Sequence, residues 1–595
     1  MKRSTYIWSL LVGCVAFATS CDLTENVQVK ADKSMIFGSK SGLELYSNSF
    51  YKALPTLKNG FMQDKMCDVG AVSNTDTFIK RGAYNTETAT SWSWGALKNV
   101  NYFIDGCNDP KYCTVEAETR DNYLGIARWF RAWFYYDKLT TYGEVPWFPN
   151  DIQSYQNDVM DKDRDSRDVI IRNLIADLDF AYEHIQATSS TGSATLTRWA
   201  AAALKSRVCL FEAAYRRYHN LTGLEITPEE LYREAAKAAK LVIDNSGCSL
   251  NTAAGKKGAY RDLFYSETPL TQEVILAVCA NEKSGIFGEQ NWWFNARSYG
   301  LCWSLVRSFV HTYLKQDGTP FTAAADYAVK SFAEEMEGRD LRLEQTVRGR
   351  NFLWDGKTAV ADIKNLSLTG YQVIKYTLDE SKYDGGAKNI NSIPLIRYAE
   401  VLLNYAEAQA ELGVLTDSEW ALTVGALRKR AGITGGTETL PTTVDSYLQR
   451  TFYPDVTSPV LLEIRRERAI ELVAEGMRFD DLRRWKCGSL METLPWSGIH
   501  IPGLEQPVDV NGDGVNDYYF TEGEVASAPA AYKNIAVRVN QDGVGLYAEA
   551  NPVSGYDLVY KTGAGDRYWY PDGRQYLYPI PAKVIRDYRN AGYTI

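Results

Sequence analysis

The chain has 595 residues, 45% of them hydrophobic and 23% charged, so it is long and apolar enough to bury a large core. Its net charge of −9 reflects an excess of acidic over basic residues, which makes nucleic acid and anionic lipid headgroups poor candidate partners. Aromatic residues make up 13% of the chain. Most of these rings are expected in helix packing, and the excess suits stacking against the flat face of a ligand.

The N-terminus has the order of a secretory signal. A basic start at residues 1–3 precedes an uncharged apolar stretch over residues 7–17, which is too short to span a bilayer. Small residues at 18–20 then precede Cys21, and this arrangement resembles the lipobox of bacterial lipoproteins. It predicts a signal peptide over residues 1–20 and a mature chain 21–595, tethered by acyl chains on Cys21 rather than inserted. The alternative is an ordinary signal peptide with an incidental cysteine.

Cysteine and histidine usage argues against a zinc site and against catalysis by histidine. Of ten cysteines, Cys14 leaves with the signal and Cys21 is the anchor, so eight remain, without a CxxC pair. The four histidines are scattered along the chain. A turn between Cys107 and Cys113 could bring these two thiols close enough to bridge in an oxidising compartment, and the sequence leaves that open.

Helical periodicity dominates two stretches, at about residues 40–245 and 391–487. Apolar and alanine residues recur there at the three-and-four spacing of helical hairpins, although no strict 34-residue repeat fits. The helices predicted cover residues 97–104, 122–139, 169–185, 198–218, 228–243, 396–412 and 459–475, the last with Ser458 as its N-cap. Glycine, proline, asparagine and aspartate interrupt residues 246–390 and 488–595, which predicts loops and short strands. The sequence therefore predicts a mainly α fold, with a tetratricopeptide-like helical scaffold and a loop-rich face.

Several strings occur in a fixed order along the mature chain. They are residues 126–139 continuing to Tyr-Gly-Glu-Val-Pro at 142–146, Asp-Gly-Thr-Pro at 317–320, Gly-Arg-Asp-Leu-Arg at 338–342, Arg-Tyr-Ala-Glu at 397–400, Ile-Arg-Arg-Glu-Arg at 464–468, Glu-Gly-Met-Arg-Phe-Asp-Asp-Leu-Arg-Arg-Trp at 475–485 and Tyr-Leu-Tyr-Pro-Ile-Pro at 576–581. Together with the lipobox, this order resembles the SusD/RagB family of nutrient-binding outer-membrane lipoproteins. The resemblance covers nearly the whole mature chain.

The resemblance implies a function as well as a fold. It implies a loop-rich face that binds oligosaccharide, above a SusC-like TonB-dependent barrel for which the protein acts as a lid. In that scheme the protein captures glycan at the outer surface of the cell and passes it to the transporter. It makes and breaks no bond, so the resemblance implies neither an enzyme nor a catalytic cofactor.

Arginine and glutamate alternate along residues 464–478. We interpret Arg465, Arg466 and Arg468 as part of a helix face laced with ion pairs to glutamates such as Glu467 and Glu471. Such pairs contribute about a few tenths of a kcal/mol each when exposed. A phosphate site would need arginines that converge without carboxylate partners, which the alternation argues against.

Two clusters are candidates for glycan binding, because each places tryptophans beside polar groups in a loop-rich segment. The first cluster consists of Asp76, Arg81, Trp92 and Trp94, and the second of Trp292, Trp293, Asn295, Arg297 and Tyr299 within a loop between Gly288 and Gly300. The resemblance supports both regions, since glycan-binding members of the family draw stacking aromatics from comparable stretches. Core packing is the alternative for every tryptophan.

A further motif predicts calcium independently of the family. Residues 509–517 follow the D-x-[DN]-x-D-G pattern of a calcium loop. Its expected ligands are Asp509, Asn511, Asp513, the carbonyl of Val515, and Asp517. Phe520 stands where such loops carry a bidentate glutamate, so water or Glu522 would complete the shell. An Asp/Asn/Gly turn without metal is the alternative.

Three other functions stay open at this stage, and one of them is a purely structural role in a surface layer. An oligopeptide-binding lipoprotein of the same kind of importer would share the fold, and the tryptophan-rich loops favour sugar only modestly. A glycan-degrading enzyme would need two carboxylates about 5–9.5 Å apart, and no pair stands out among the acidic residues.

Overall fold

The computed structural model describes residues 33–60, 64, 66–152, 162–295, 302–562 and 564–593. The signal peptide, Cys21, Arg297 and Tyr299 lie outside these residues. Helices dominate and strands are short, which confirms the predicted mainly α fold with short strands. Across these ranges no helix combines the length and the apolar character needed to cross a membrane.

The longer helices form the scaffold. Those of eight or more residues are Lys40–Ser47, Gly95–Asn108, Ala117–Tyr142, Arg167–His184, Arg198–Tyr218, Pro228–Asn245, Tyr398–Glu411, Pro459–Glu471 and Ala582–Asn590. The shorter ones are Lys33–Phe37, Asp262–Tyr265, Gln290–Asn295, Arg307–Val310, Phe332–Met336, Arg342–Thr346, Asp417–Leu422, Val424–Arg430, Ser446–Phe452, Arg478–Arg484 and Leu490–Thr493. From Ala117–Tyr142 to Pro459–Glu471, each long helix packs against the next one in the chain.

Alanine makes this close packing possible. The Arg198–Tyr218 helix is buried along almost its whole length, and its alanines at 200–203 are at most 2% exposed. The Pro228–Asn245 helix, which packs against it, buries Ala235 and Ala239 completely. Side chains this small let the backbones of neighbouring helices approach closely.

Local signals set the helix boundaries. Thr227 caps the Pro228–Asn245 helix, and its hydroxyl and the Glu230 carboxylate exchange hydrogen bonds with the backbone as a capping box. Ser458 caps the helix that begins at Pro459, as predicted. That helix ends at Glu471 rather than at the predicted Glu475. Ala474 adopts a φ of +66°, which a right-handed helix cannot include.

The strands form sheets of only two or three members. They are Gly70–Ala71, Val274–Val278, Ser304–Leu305, Leu353–Trp354, Lys357–Thr358, Ile393–Arg397, Ser497–Ile501, Pro507–Val508, Tyr518–Thr521, Ala536–Arg538, Leu546–Ala550 and Tyr556–Tyr560. Val274–Val278 pairs antiparallel with Ile393–Arg397, directly before the helix at Tyr398. This pair attaches the segment between residues 274 and 393 to the helical scaffold.

The arginine-rich helix face is buried, and this corrects the interpretation of its ion pairs as weak exposed contacts. Arg466, Glu467 and Arg468 are each at most 3% exposed. Arg468 Nε lies 2.8 Å from a carboxylate oxygen of Asp481, and Glu467 lies 2.6 Å from Arg342. The sequence could not show this, because the helix buries its polar residues against carboxylates and arginines from distant segments.

Glu471 is the centre of this buried network. Its carboxylate accepts hydrogen bonds from Arg342 at 2.8 Å, from Arg397 at 3.1 Å, and from Arg430. Burial by itself would raise the pKa of Glu471, but the charges of the three arginines outweigh burial and hold that pKa well below its usual range. Arg397 and Arg430 also share Glu273, so five segments of the chain meet in one charge cluster.

The cysteine thiols are all free in the part of the chain described, and Cys107 and Cys113 do not bridge. Cys107 is buried and Cys113 is half-buried. Burial raises the pKa of both thiols, so neither is set up as a reactive thiolate.

Removing one charge from the buried network should destabilise the fold. Glu471→Gln keeps the size of the side chain but leaves three buried arginines short of one negative charge. We expect a loss of about 3–5 kcal/mol of unfolding free energy, measured by urea denaturation. Glu225→Gln is the matched control, because the Glu225 carboxylate lies 3.0 Å from Arg172 and is 82% exposed. It should produce no measurable change, and equal effects of the two variants would contradict this account.

Candidate functional site

Trp92 and Trp94 contact each other just before the Gly95–Asn108 helix. Their ring centroids are 5.5 Å apart in an edge-to-face arrangement. Trp92 also packs against Tyr142 at 4.9 Å, and Trp94 packs against Phe148 at 5.4 Å. Both tryptophans are half-buried, so one part of each ring packs in the core and another part is accessible.

The accessible parts of these rings line a cavity of about 360 Å³, which we call the Trp92 cavity. Its lining residues are Trp92, Trp94, Gly95, Leu97, Lys98, Asn101, Phe148, Asn150, Ile152, Val584, Asp587 and Tyr588. Three separate stretches of the chain therefore build the wall, and one of them is the C-terminal helix Ala582–Asn590. The size and the mixture of rings with a few polar groups are typical of a small-ligand site.

The two polar atoms of the Asn101 side chain differ in their hydrogen bonds. Its amide nitrogen donates to the carbonyl oxygens of Phe148 at 2.8 Å and of Asn150 at 3.0 Å. Its side-chain oxygen is buried and accepts no hydrogen bond among the described residues. A buried acceptor left without a donor is costly, so a ligand hydroxyl that donates to it would be favoured.

The sequence interpretation did not include Asn101, although a signal for it was present. Asn101 follows Leu97 and Val100 on the buried stripe of an amphipathic helix, where an apolar side chain would be expected. The C-terminal residues of the wall carry no such signal, because only the fold brings them to residue 92.

Asp76 and Arg81 do not line the Trp92 cavity. Asp76 accepts a hydrogen bond from the backbone N–H of Phe78 at 2.9 Å and caps the helical turn Thr77–Ile79. The Arg81 guanidinium lies 4.0 Å from the ring centroid of Tyr568. The structure thus brings together two of the four residues of the first cluster at one cavity.

The described residues of the second cluster lie on a short helix, Gln290–Asn295, where the flanking glycines had predicted a loop. Trp292 and Trp293 are half-buried, and their ring centroids are 5.1 Å apart. Asn295 donates to Asp384 at 3.0 Å and accepts from Gln372 at 3.2 Å, so its amide is occupied within the protein. Trp292, Trp293 and Asn295 are near one another, while Arg297 and Tyr299 lie outside the described residues.

The 509–517 loop has its carboxylates turned toward its own backbone. Asp509 accepts hydrogen bonds from the N–H groups of Gly512 and Gly514, both at 2.7 Å. Burial, followed by the charges of Asp513 and Asp509, raises the pKa of Asp517 against the effect of its backbone hydrogen bonds. No set of three or more His, Cys, Asp or Glu side chains in the described ranges is arranged to hold a metal. The loop offers suitable oxygens, but Asp509 would have to exchange backbone donors for a cation.

Comparison with known proteins identifies related sequences and folds. A sequence profile of the SusD family matches residues 272–593. No curated protein matches the chain significantly. Among solved structures, a SusD-like carbohydrate-binding protein from Bacteroides fragilis is 19% identical, with a TM-score of 0.66 over 93% of this chain and 99% of the other.

Two further structures are similar over comparable lengths. A SusD superfamily protein from Parabacteroides distasonis is 18% identical, with a TM-score of 0.56 over 93% of this chain and 98% of the other. A structure with bound xylogluco-oligosaccharide is 16% identical, with a TM-score of 0.55 over 93% and 98% of the two chains. At these identities the likenesses establish the shared fold.

We propose that the 509–517 loop binds calcium. If so, millimolar calcium should raise the unfolding temperature of the protein relative to EDTA, because a ligand that binds only the folded state stabilises it. The effect should weaken as the pH falls toward the titration range of the carboxylates, since the raised pKa of Asp517 makes protons compete with the cation. Asp513→Asn keeps the shape of the loop and should remove the response. An unchanged unfolding temperature in calcium, magnesium and EDTA would refute calcium binding.

Proposed function

The chain belongs to the SusD family, and from that premise we propose that it binds oligosaccharide outside the cell and delivers it to a SusC-like TonB-dependent transporter. Sugar binding at the Trp92 cavity is the central part of this proposal. The observation that carries it is the combination, along the wall of one cavity, of two half-buried tryptophan rings and Asn101, whose buried side-chain oxygen has no hydrogen-bond donor among the described residues.

These features match the chemistry of a sugar. A pyranose presents flat faces of C–H groups, which pack on aromatic rings, and hydroxyls at its edge, which donate and accept hydrogen bonds. Trp92 and Trp94 are edge to face, so they offer two surfaces at an angle rather than one flat platform. Lys98 and Asp587 add charged groups to the wall that can bond further hydroxyls.

An oligopeptide ligand is the alternative within the same kind of importer. A peptide bound in an extended form would need several backbone donors and acceptors along the site. In the Trp92 cavity the unused buried acceptor is the single oxygen of Asn101, which favours hydroxyl recognition. A glycan-degrading enzyme is the less favoured alternative, because Asp587 is the one carboxylate among the lining residues of this cavity and glycoside hydrolysis uses two.

Calorimetry with variants of the cavity tests this function. We expect a panel of neutral oligosaccharides to contain at least one that binds the purified protein, and Trp92→Ala to weaken that binding at least tenfold, equivalent to about 1.4 kcal/mol. Trp133→Ala is the matched control, because Trp133 is also half-buried but stacks on Trp129 away from the cavity. Trp292→Ala tests the second cluster in the same way.

The result separates the candidate functions. Loss of sugar binding in Trp92→Ala alone would place the site at the Trp92 cavity, and loss in Trp292→Ala alone would move it to the second cluster. Binding of peptides without sugars would refute the proposal in favour of peptide import. Hydrolysis of any oligosaccharide during the titration would show an enzyme instead.

The membrane anchor and the transporter are the second part of the proposal. Acyl chains on Cys21 would hold the protein on the outer membrane, facing the exterior, where it can cover the mouth of a barrel. The support is the order of residues 1–21 in the sequence together with family membership.

Fractionation of cells tests the anchor and the partner. Cys21→Ala should move the protein from the membrane fraction to the soluble fraction, because a single non-lipidated terminus gives no stable attachment. The native protein, solubilised in mild detergent, should co-purify with a TonB-dependent barrel. A membrane-bound Cys21→Ala variant would contradict the anchor, and purification of the native protein without any barrel would contradict the transporter.

A further inference from the structure

A second and larger cavity lies beside Arg465 of the Pro459–Glu471 helix. Its volume is about 860 Å³, and we call it the Arg465 cavity. Tyr218, Tyr453, Arg465, Trp485, Lys486 and Tyr570 are among its lining residues, and none of them lines the Trp92 cavity. Aromatic rings and cations therefore share one wall.

Arg465 has an environment unlike that of its neighbours on the Pro459–Glu471 helix. It is 1% exposed, and its guanidinium lies 4.4 Å from the ring of Trp485, 4.9 Å from that of Tyr218 and 5.1 Å from that of Tyr453. Arg466 and Arg468 pair with Asp445 and Asp481, but Arg465 forms no ion pair among the described residues. Three rings surround a permanent charge that has no carboxylate within ion-pair distance in the described part of the chain.

The hydrogen-bonding edge of Arg465 is also unused. Its Nε and Nη2 are buried and have no hydrogen-bond acceptor among the described residues. Elsewhere in this protein the same two atoms hold both oxygens of one carboxylate. Arg207 binds Glu400 in this way at 2.7 and 2.7 Å, and Arg478 binds Asp68 at 2.7 and 2.6 Å. Arg465 thus presents the same two donors, Nε and Nη2, without a carboxylate oxygen bound to them among the described residues.

The acidic groups near Arg465 do not form ion pairs with it, and Glu411, Glu492 and Asp572 are bound to other partners. Glu411 accepts from the Tyr218 hydroxyl at 2.6 Å and from Arg217 at 2.7 Å. Three acidic residues line the cavity, and they are Asp455, Glu492 and Asp572. Glu492 accepts from the backbone N–H of Trp569 at 3.0 Å, and Asp572 accepts from Arg574 at 2.8 Å. None of them forms an ion pair with Arg465 or with Lys486.

We propose that the Arg465 cavity binds a carboxylate-bearing sugar of the uronic acid type, as a site separate from the Trp92 cavity. The carboxylate would take the free edge of Arg465, and the sugar ring would pack on the aromatic wall. The planar guanidinium fork can donate to both oxygens of a carboxylate, and the rings give the sugar a surface to contact. This inference rests on the proposed function, because it takes the ligand to be a saccharide.

Access requires a local movement. Nε and Nη2 are buried, so a ligand in the cavity does not reach them directly. The guanidinium must therefore shift toward the cavity, or a half-buried ring such as Tyr218 must turn, before a carboxylate reaches them. A long arginine side chain makes the first movement without displacing the helix backbone.

Calorimetry with trigalacturonic acid and its methyl ester tests the site, because esterification removes the carboxylate charges and leaves the sugar units and their linkages unchanged. We expect the purified protein to bind the acid at least tenfold more tightly than the ester. Arg465→Met should remove this preference, while Arg574→Met should retain it, since Arg574 is a nearby exposed arginine already paired with Asp572. Arg465→Met should fold with an unchanged or higher unfolding temperature, because it removes an unpaired buried charge.

Several outcomes would overturn the proposal. These are failure of the wild type to bind the acid, equal binding of acid and ester, and undiminished binding of the acid by Arg465→Met. Competition by inorganic sulfate or phosphate at the same concentration would show an anion site without sugar specificity. Tighter binding of a peptide with a free C-terminus would assign the cavity to peptides.

Two controls separate loss of the Arg465 site from misfolding of the variant and from loss of neutral-sugar binding. If Arg465→Met does not fold, Lys486→Gln at the exposed side of the cavity should still weaken binding of the acid and not of the ester. Neutral oligosaccharides that depend on Trp92 should bind Arg465→Met normally. Loss of neutral binding in Trp92→Ala, without any uronate binding, would support the proposed function and reject the Arg465 site.

Discussion

The fold depends on charges that cannot be buried separately. Glu471 and Glu273 are fully buried, and three arginines from different segments neutralise them. A lone buried carboxylate or guanidinium would cost several kcal/mol, so each segment becomes stable only when its partners are in place. The helical scaffold and the segment between residues 274 and 393 must therefore assemble together, because this network includes groups from both.

The Pro459–Glu471 helix, which carries Glu471, also carries Arg465. Most of its charged side chains are matched by partners within the protein, and Arg465 is matched only by rings. The two cavities differ correspondingly. The Trp92 cavity offers rings and an unused acceptor, which suit neutral hydroxyls, whereas the Arg465 cavity offers rings and an unused cationic donor. A protein with both could hold glycans that carry neutral and acidic sugars.

The helices were predictable because their signals are local. Capping residues such as Thr227 and Ser458, proline in the first turn, and apolar spacing fix where a helix begins and which side it buries. The predicted helix at 198–218 agrees with the structure at both ends. The family resemblance was likewise confirmed, because the strings that carry it are contiguous in the sequence and occur in a fixed order.

The mainly α fold and the family were predictable from sequence, since both follow from residues close together in the chain. The tertiary structure was needed to show that the arginine-rich face is buried and that Asp76 and Arg81 lie away from the Trp92 cavity. It was also needed to show that Arg465 has no carboxylate partner among the described residues. Burial and charge neutralisation depend on which distant segments meet, and no local pattern encodes that meeting.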